Sequence, residues 1–278
     1  MKNRLEDALG VRVRSVRAIA GGDICQAYLV QLEEKEHLFV KTRPGGPQDM
    51  FVAERRGLEW LAETEALRVP KVVAAQADFL ALEYLESAPR TDDFDEKLGR
   101  GLAELHTFAT DAPGLDYDNF IGPLAQPNQP CPTWPEFYAK RRLAPRIEEA
   151  IRSGRAPLNW GDRFERLFQK LPSLIPDEPN SRLHGDLWGG NLLVGPQGEP
   201  CLIDPAVYVG HREIDLAMMR LFGGFPQKVF DSYQEAYPLQ EGAADRVDLY
   251  QLYPLLVHVN LFGGGYVSAV ERALSRYV

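Results

Sequence analysis

The chain has 278 residues, of which 45% are hydrophobic and 26% charged, a globular composition that argues against disorder or a coiled coil as an overall description. A formal net charge of −9 argues against a nucleic-acid binder, which would carry a basic face, although one basic pocket for an anion remains compatible with it. Cys25, Cys131 and Cys201 are scattered and show no CxxC spacing, so neither a zinc site nor a disulfide framework is expected.

The opening residues, MKNRLEDALG, hold no apolar signal core, and no run approaches about 18 apolar residues. A cytoplasmic protein without membrane partners is therefore expected. VRVRSVRAIA (11–20), AYLVQLE (27–33) and HLFVKT (37–42) alternate and are predicted strands. The Gly-Gly-Asp turn at 21–23 and a polar turn at 33–36 join them. After the breaker PGGP (44–47), Phe51, Leu58 and Leu61, with Val52, fall near a helical period, which predicts a helix of about four turns. VPKVVAAQADFLALEYLE then predicts two more strands, so the first 86 residues should be a mostly antiparallel sheet with one helix.

Beyond that point the pattern turns helical. Thr91-Asp92-Asp93 forms an N-cap cluster before a helix with Leu98, Leu102 and Leu105 on one face. The Pro-rich stretch 112–135 is predicted as an irregular surface loop. Helical patterns follow at 136–152, 161–171, 212–222, 227–236 and 244–262, interrupted by a hairpin at 192–203. The predicted fold class is α+β and bilobal. Residues 1–86 form a small antiparallel-sheet lobe and residues 87–278 a larger, mainly helical lobe, with a hinge at about 82–86.

Phosphoryl transfer from ATP needs a carboxylate at the acceptor hydroxyl, hard-oxygen metal ligands, a cation on the phosphates and a loop covering them. The chain supplies these parts in the order kinases use. His184-Gly185-Asp186 followed by Asn191 matches H-x-D-x-x-x-x-N, and Asp204 lies thirteen residues further on, at a strand end. Lys41 ends the strand pattern His-Leu-Phe-Val-Lys, and Glu54 on the next helix is placed to pair with it. Gly21 and Gly22 open the turn where a phosphate-covering loop belongs. Each of these has a plainer reading alone: a tight turn, a hairpin turn, a solvated lysine, a solvated helix residue. Their joint order is what points to a kinase. Asp204-Pro205-Ala206 in place of Asp-Phe-Gly, with no Ala-Pro-Glu segment, separates the chain from protein kinases and resembles small-molecule kinases of the aminoglycoside and choline kinase type.

HGDLWGGNLLV, DPAVYVGHREIDLAMMRLFGGFP and the C-terminal NLFGGGY together resemble the fructosamine kinase (ketosamine-3-kinase) family over essentially the whole chain. The resemblance implies an ATP- and Mg2+-dependent kinase that phosphorylates a ketoamine sugar hydroxyl. In the family's best-understood members this is the 3-hydroxyl of fructosamines or ribulosamines on lysine side chains or free amines, and phosphorylation releases the amine. It implies that Asp186 orients or accepts the acceptor proton, that Asn191 and Asp204 hold Mg2+, and that Lys41, anchored by Glu54, meets the α/β-phosphates. Glu83 and Leu85 would offer backbone groups to adenine with Tyr84 between them, and Trp188 would wall the sugar, unless it packs in the core.

Other residues carry two readings. Asp215 braces the catalytic loop or takes part in the chemistry, and His211 faces the acceptor or caps a helix. His258 and Asn260 are satisfied core residues or substrate contacts. His106 reads as an ordinary helix residue, and Cys25 as a packed thiol or an oxidation switch. The acceptor could instead be an aminoglycoside, choline or a sugar. A nucleotide-binding pseudokinase scaffold is the remaining alternative, disfavoured because Lys41, Asp186, Asn191 and Asp204 are all present.

Overall fold

The computed structural model describes residues 2–19, 25–33, 36–110 and 112–278. Gly21 and Gly22 lie outside the described residues. Among the described residues the fold is α+β and bilobal, as the alternating and then helical patterns predict. The first lobe contains α1 (Lys2–Leu9), β1 (Val13–Ile19), β2 (Gln26–Leu32), β3 (His37–Thr42), α2 (Met50–Ala62), β4 (Val72–Ala75) and β5 (Phe79–Glu83). Its strands form one antiparallel sheet in the order β1-β2-β3-β5-β4.

Strand side chains alternate between faces, so each strand feeds two cores. Val30, Leu38, Val40, Phe79 and Ala81 pack with Leu5 of α1 on one face. Leu80 and Leu82 pack with Phe51 and Leu58 of α2 on the other. Helix α1 lies where no helix was expected. It is short and charged and buries only Leu5, so its stability comes from docking rather than from its own sequence.

The second lobe begins with α3 (Phe94–Thr107), whose Leu98, Leu102 and Leu105 share the buried face as the spacing predicts. Asp93 occupies the N-cap but makes no side-chain cap bond. Its φ and ψ of −98° and 10° lie outside the extended conformation that swings a cap oxygen over the first amides. A Cβ on Gly99 would lie 2.3 Å from the Val229 carbonyl, which is why this face of α3 carries glycine. After β6 (Ala109–Thr110), the Pro-rich stretch holds the hairpin β7 (Asn119–Ile121) and β8 (Leu124–Gln126). This corrects the expectation of an irregular loop: Gly122, at φ 55°, and Pro123 make a two-residue turn.

The expected single helix at 136–152 starts earlier, as α4 (Trp134–Phe137), and passes through a π turn at Tyr138–Leu143 into α5 (Ala144–Arg152). The Ala144 amide donates to Ala139, five residues back, and the next residue, Pro145, has no amide to donate. Then come α6 (Trp160–Leu174), β9 (Asn180–Leu183), β10 (Leu192–Val194), β11 (Pro200–Leu202), β12 (Tyr208–Gly210), α7 (Glu213–Phe222), α8 (Gln227–Ala236), α9 (Ala243–Phe262) and α10 (Gly265–Leu274). Strands β12-β9-β6 form a small sheet that sequence alternation did not reveal. Helix α9 is buried along most of its length, through Leu249, Leu252, Leu256 and Val259 among others. Among the described residues no helix is long and apolar enough to cross a membrane.

Candidate active site

Two periodicities meet at Lys41. It pairs with Leu80 across β3 and β5, so it points to the α2 face with Leu80 and Leu82. On α2, Glu54 falls between Phe51 and Leu58 at helical spacing, on the stripe that faces the sheet. The two side chains therefore meet in an almost dry place and form an ion pair. Lys41 Nζ also donates to Asp204 Oδ1 at 2.9 Å. Burial alone would lower the Lys41 pKa, but Asp204 and Glu54 overcome it and hold the ammonium above its ordinary value. Burial pushes the Glu54 carboxyl up to about 7, against the pull of Lys41.

The catalytic-loop motif runs between β9 and β10 and is held by its own polar atoms. His184 is fully buried. Its Nε2–H donates to the Ile203 carbonyl at 2.9 Å, and its Nδ1 accepts the Asp186 amide at 3.3 Å. Those two bonds require the neutral ring, and burial lowers its pKa accordingly. Gly185 adopts φ 81°, and a Cβ there would lie 2.1 Å from the Ala206 carbonyl, so glycine alone fits this turn. Asn191 Nδ2 donates to the Asp186 carbonyl at 2.8 Å and to Asp186 Oδ2 at 3.2 Å, which turns the amide oxygen away from Asp186. Burial and the nearby Asp204 push the Asp186 carboxyl up to about 7. Asp204 itself sits at φ 52°, a left-handed conformation rare outside glycine, with its side chain 43% exposed.

A cavity of about 520 Å³ gathers most of the residues singled out from the sequence. Lys41, Glu54, Glu83, Tyr84 and Leu85 line it from the first lobe, and Asp186, Trp188, Asn191 and Asp204 from the second. The Glu83 carboxylate is tied to Arg68 at 2.6 Å, and Arg68 also reaches Glu199, which precedes β11, at 3.0 Å. Trp188 is 40% exposed and is not a core residue. Cys25 also lines the cavity, and burial holds its thiol above the ordinary value, which disfavours the reactive thiolate.

Asp215 and His211 are not in the cavity wall. Asp215, 1% exposed, accepts the His184 amide at 2.8 Å, the Gly185 amide at 2.9 Å and His106 Nε2 at 3.3 Å. These donors keep its carboxyl ionised below the usual range although burial opposes them. His211 is buried beneath the start of α7, where its Nδ1 accepts the Glu213 amide at 3.4 Å and its ring stacks on Tyr250. Asn260 is buried and donates to the Arg146 and Leu256 carbonyls, while His258 is half-buried and donates to the Pro254 carbonyl.

Sequence reasoning missed two groups. His106, read as ordinary, is buried under Asp215, with Nδ1 2.9 Å from the Tyr233 hydroxyl. Asn119, Phe120 and Gly122 of the β7–β8 hairpin line the cavity. Asn119 donates to the Val207 carbonyl at 2.7 Å, and Gln126 to the Ala206 carbonyl at 3.0 Å, so the hairpin supports the segment after Asp204. A run of amides among prolines (Asn119, Gln126, Asn128) was the available signal.

The model of the family described as fructosamine kinase matches residues 1–278. A probable ketoamine kinase of Synechocystis is 38% identical over 273 residues, covering 95% of this chain and 90% of its own. Another from Thermus thermophilus is 39% identical, covering 92% and 91%. Among solved structures, a provisionally named fructosamine-3-kinase from Thermobifida fusca is 36% identical with a TM-score of 0.91, covering 100% of this chain and 98% of that one. Choline kinase LicA from Streptococcus pneumoniae, 20% identical with a TM-score of 0.64 and coverages of 99% and 96%, shares the fold.

Proposed function

The chain belongs to the fructosamine kinase family, and from that premise we propose that it phosphorylates the 3-hydroxyl of a ketoamine sugar, using ATP and Mg2+, as a step in releasing glycated amines. Residues 1–86 bind the nucleotide in this reading, and residues 87–278 carry the acceptor. One observation carries it: Lys41, Glu54, Asp186, Asn191 and Asp204, drawn from both lobes, face one cavity.

The donor set fits a hard divalent cation. Asn191 has its nitrogen committed to Asp186, which leaves the amide oxygen for a metal, and the Asp204 carboxylate is partly exposed at the cavity. When bound, Mg2+ supplies charge neutralisation on the phosphates. Lys41, held by Glu54, contacts the α/β-phosphates. Glu83 and Leu85 offer backbone groups to adenine beside Tyr84, and Gly21-Gly22 cover the phosphates. Asp186 would accept the proton of the sugar hydroxyl as its oxygen bonds to the γ-phosphorus and the bond from that phosphorus to the β–γ bridging oxygen breaks, releasing ADP. Trp188 walls the sugar. Asp215, through the His184 and Gly185 amides, fixes where Asp186 points.

The test is ATP consumption with Mg2+ on fructosyl-lysine and ribulosyl-lysine, with phosphorus NMR of the product. A 3-phosphorylated ketoamine supports the reading. Turnover only of choline or an aminoglycoside would replace the acceptor and keep the kinase.

A further inference from the structure

Two helices of the second lobe end on the same tripeptide. Helix α7 runs out at Phe222-Gly223-Gly224 and α9 at Phe262-Gly263-Gly264. The glycines take φ of 70°, 91°, 65° and 60° and end each helix immediately after its phenylalanine. Termination needs a glycine but not a phenylalanine, and both rings are left in water, Phe222 at 39% and Phe262 at 60% exposure.

The rings belong to one continuous strip that starts at the cavity. Trp188, in the cavity wall, meets Phe222 edge-on at 6.4 Å between centroids. Phe222 lies 4.7 Å from His258, whose ring is in turn 5.6 Å from Phe262 and 4.9 Å from Tyr266. The glycine turn after α7 touches the catalytic loop, since a Cβ on Gly189 would lie 3.5 Å from the Gly223 carbonyl. Beside the rings the protein leaves room: a Cβ on Gly223, Gly263, Gly264 or Gly265 would meet nothing within 4 Å. A contiguous aromatic surface that is open on its flanks is rare unless something covers it.

The geometry points to this strip as the docking surface for the amine half of the substrate. This rests on the ketoamine reading above. With the sugar hydroxyl at Asp186 and the sugar against Trp188, the amine on which the sugar is carried continues from Trp188 onto Phe222 and Phe262. The ketoamine nitrogen, a secondary amine cationic at neutral pH, falls at the start of this path, on Trp188 and Phe222, and aromatic faces attract such cations. The hydrocarbon stem beyond the nitrogen is removed from water on the same rings. The strip therefore selects for ketoamines of larger alkyl or arylalkyl amines over those of small amines, and it sets KM rather than the phosphoryl-transfer step.

The test compares the fructose ketoamines of benzylamine and methylamine. Binding is measured by calorimetry with a non-hydrolysable ATP analogue and Mg2+, and turnover is measured in parallel, in wild type, Phe262→Ala and Phe262→Tyr. Wild type should prefer the benzyl compound. Phe262→Ala should lose about three- to fivefold affinity for it, the scale of an aromatic ring pair with the benzyl group, with kcat and methyl-compound affinity unchanged and with recovery in Phe262→Tyr. Equal affinities in wild type, or equal losses for both compounds in Phe262→Ala, would overturn the inference. A benzyl-selective binding loss without turnover of either compound would leave the docking surface standing and overturn the proposed activity. Binding of neither compound would overturn both.

Discussion

Replacing Asp215 with asparagine removes one acceptor from a point where three donors converge. In the better of its two orientations the amide oxygen takes the place of Oδ2 and keeps the His184 and His106 bonds at 2.8 and 3.3 Å. Its NH2 group then faces the Gly185 amide, which had been donating to Oδ1 at 2.9 Å. One bond to a charged acceptor, worth about 1.5–3 kcal/mol, is lost, and the Gly185 amide is left buried without a partner. A destabilisation of about 3 kcal/mol follows. Spread over 278 residues with about 2 cal/mol/K of unfolding entropy each, it lowers Tm by about 5 °C. Gly185 precedes Asp186, so the same change releases the loop that aims the carboxylate, and kcat should fall by about a hundredfold, the scale of an ångström-sized misplacement. The assay is a thermal melt paired with steady-state turnover and calorimetric nucleotide affinity. Unchanged Tm with unchanged kcat would refute the bracing role, and so would a loss confined to nucleotide affinity.

Asp186→Asn should reduce kcat by about 10²–10⁴, the usual weight of a proton acceptor, while calorimetry shows nucleotide affinity nearly intact; wild-type turnover would remove Asp186 from the acceptor role. Asp204→Ala should weaken Mg2+-nucleotide binding, and an unchanged affinity by titration calorimetry counts against its metal role. Gly185→Ala, which needs φ 81° and a Cβ 2.1 Å from the Ala206 carbonyl, should unseat the loop from the Asp204 segment and lower both Tm and kcat, whereas wild-type values would show that the turn can relax. Burial holds His106 below its ordinary 6.5, so the unfolded chain binds the extra proton and this contribution is full above 6.5 and is lost as pH falls through that value. Glu54 and Asp186 are shifted the other way, so the histidine is read as a difference: the stability gap between wild type and His106→Asn should shrink from about pH 7.5 to about pH 5.5 in urea titrations, and a constant gap would rule the contribution out.

What could be read from the sequence was whatever a single period decides. Alternation in HLFVKT marked a strand ending at Lys41, and a helical period in Phe51, Leu58 and Leu61 marked the helix that carries Glu54. Helix α8 coincides with its pattern at 227–236. The remainder depends on partners distant in the chain. Helix α1 exists because Leu5 is covered by the sheet. The β7–β8 hairpin stands on hydrogen bonds that the Asn119 and Gln126 side-chain amides donate to the carbonyls of Val207 and Ala206, about eighty residues away. His106 lies among leucines in the sequence, and only folding brings Asp215 and Tyr233 to its two nitrogens.

Helix α2 rests on the second lobe as well as on the first. A Cβ on Gly57 would lie 3.1 Å from Val207, Arg56 lies over the Tyr117 ring at 3.5 Å, and Arg182 donates to the Trp60 carbonyl at 2.7 Å. The helix that carries Glu54 is thus seated on the residues that directly follow Asp204. Glu54 therefore reaches Lys41 from a helix that both lobes hold, so a substitution at Val207 or Arg182 would act on that ion pair from the second lobe.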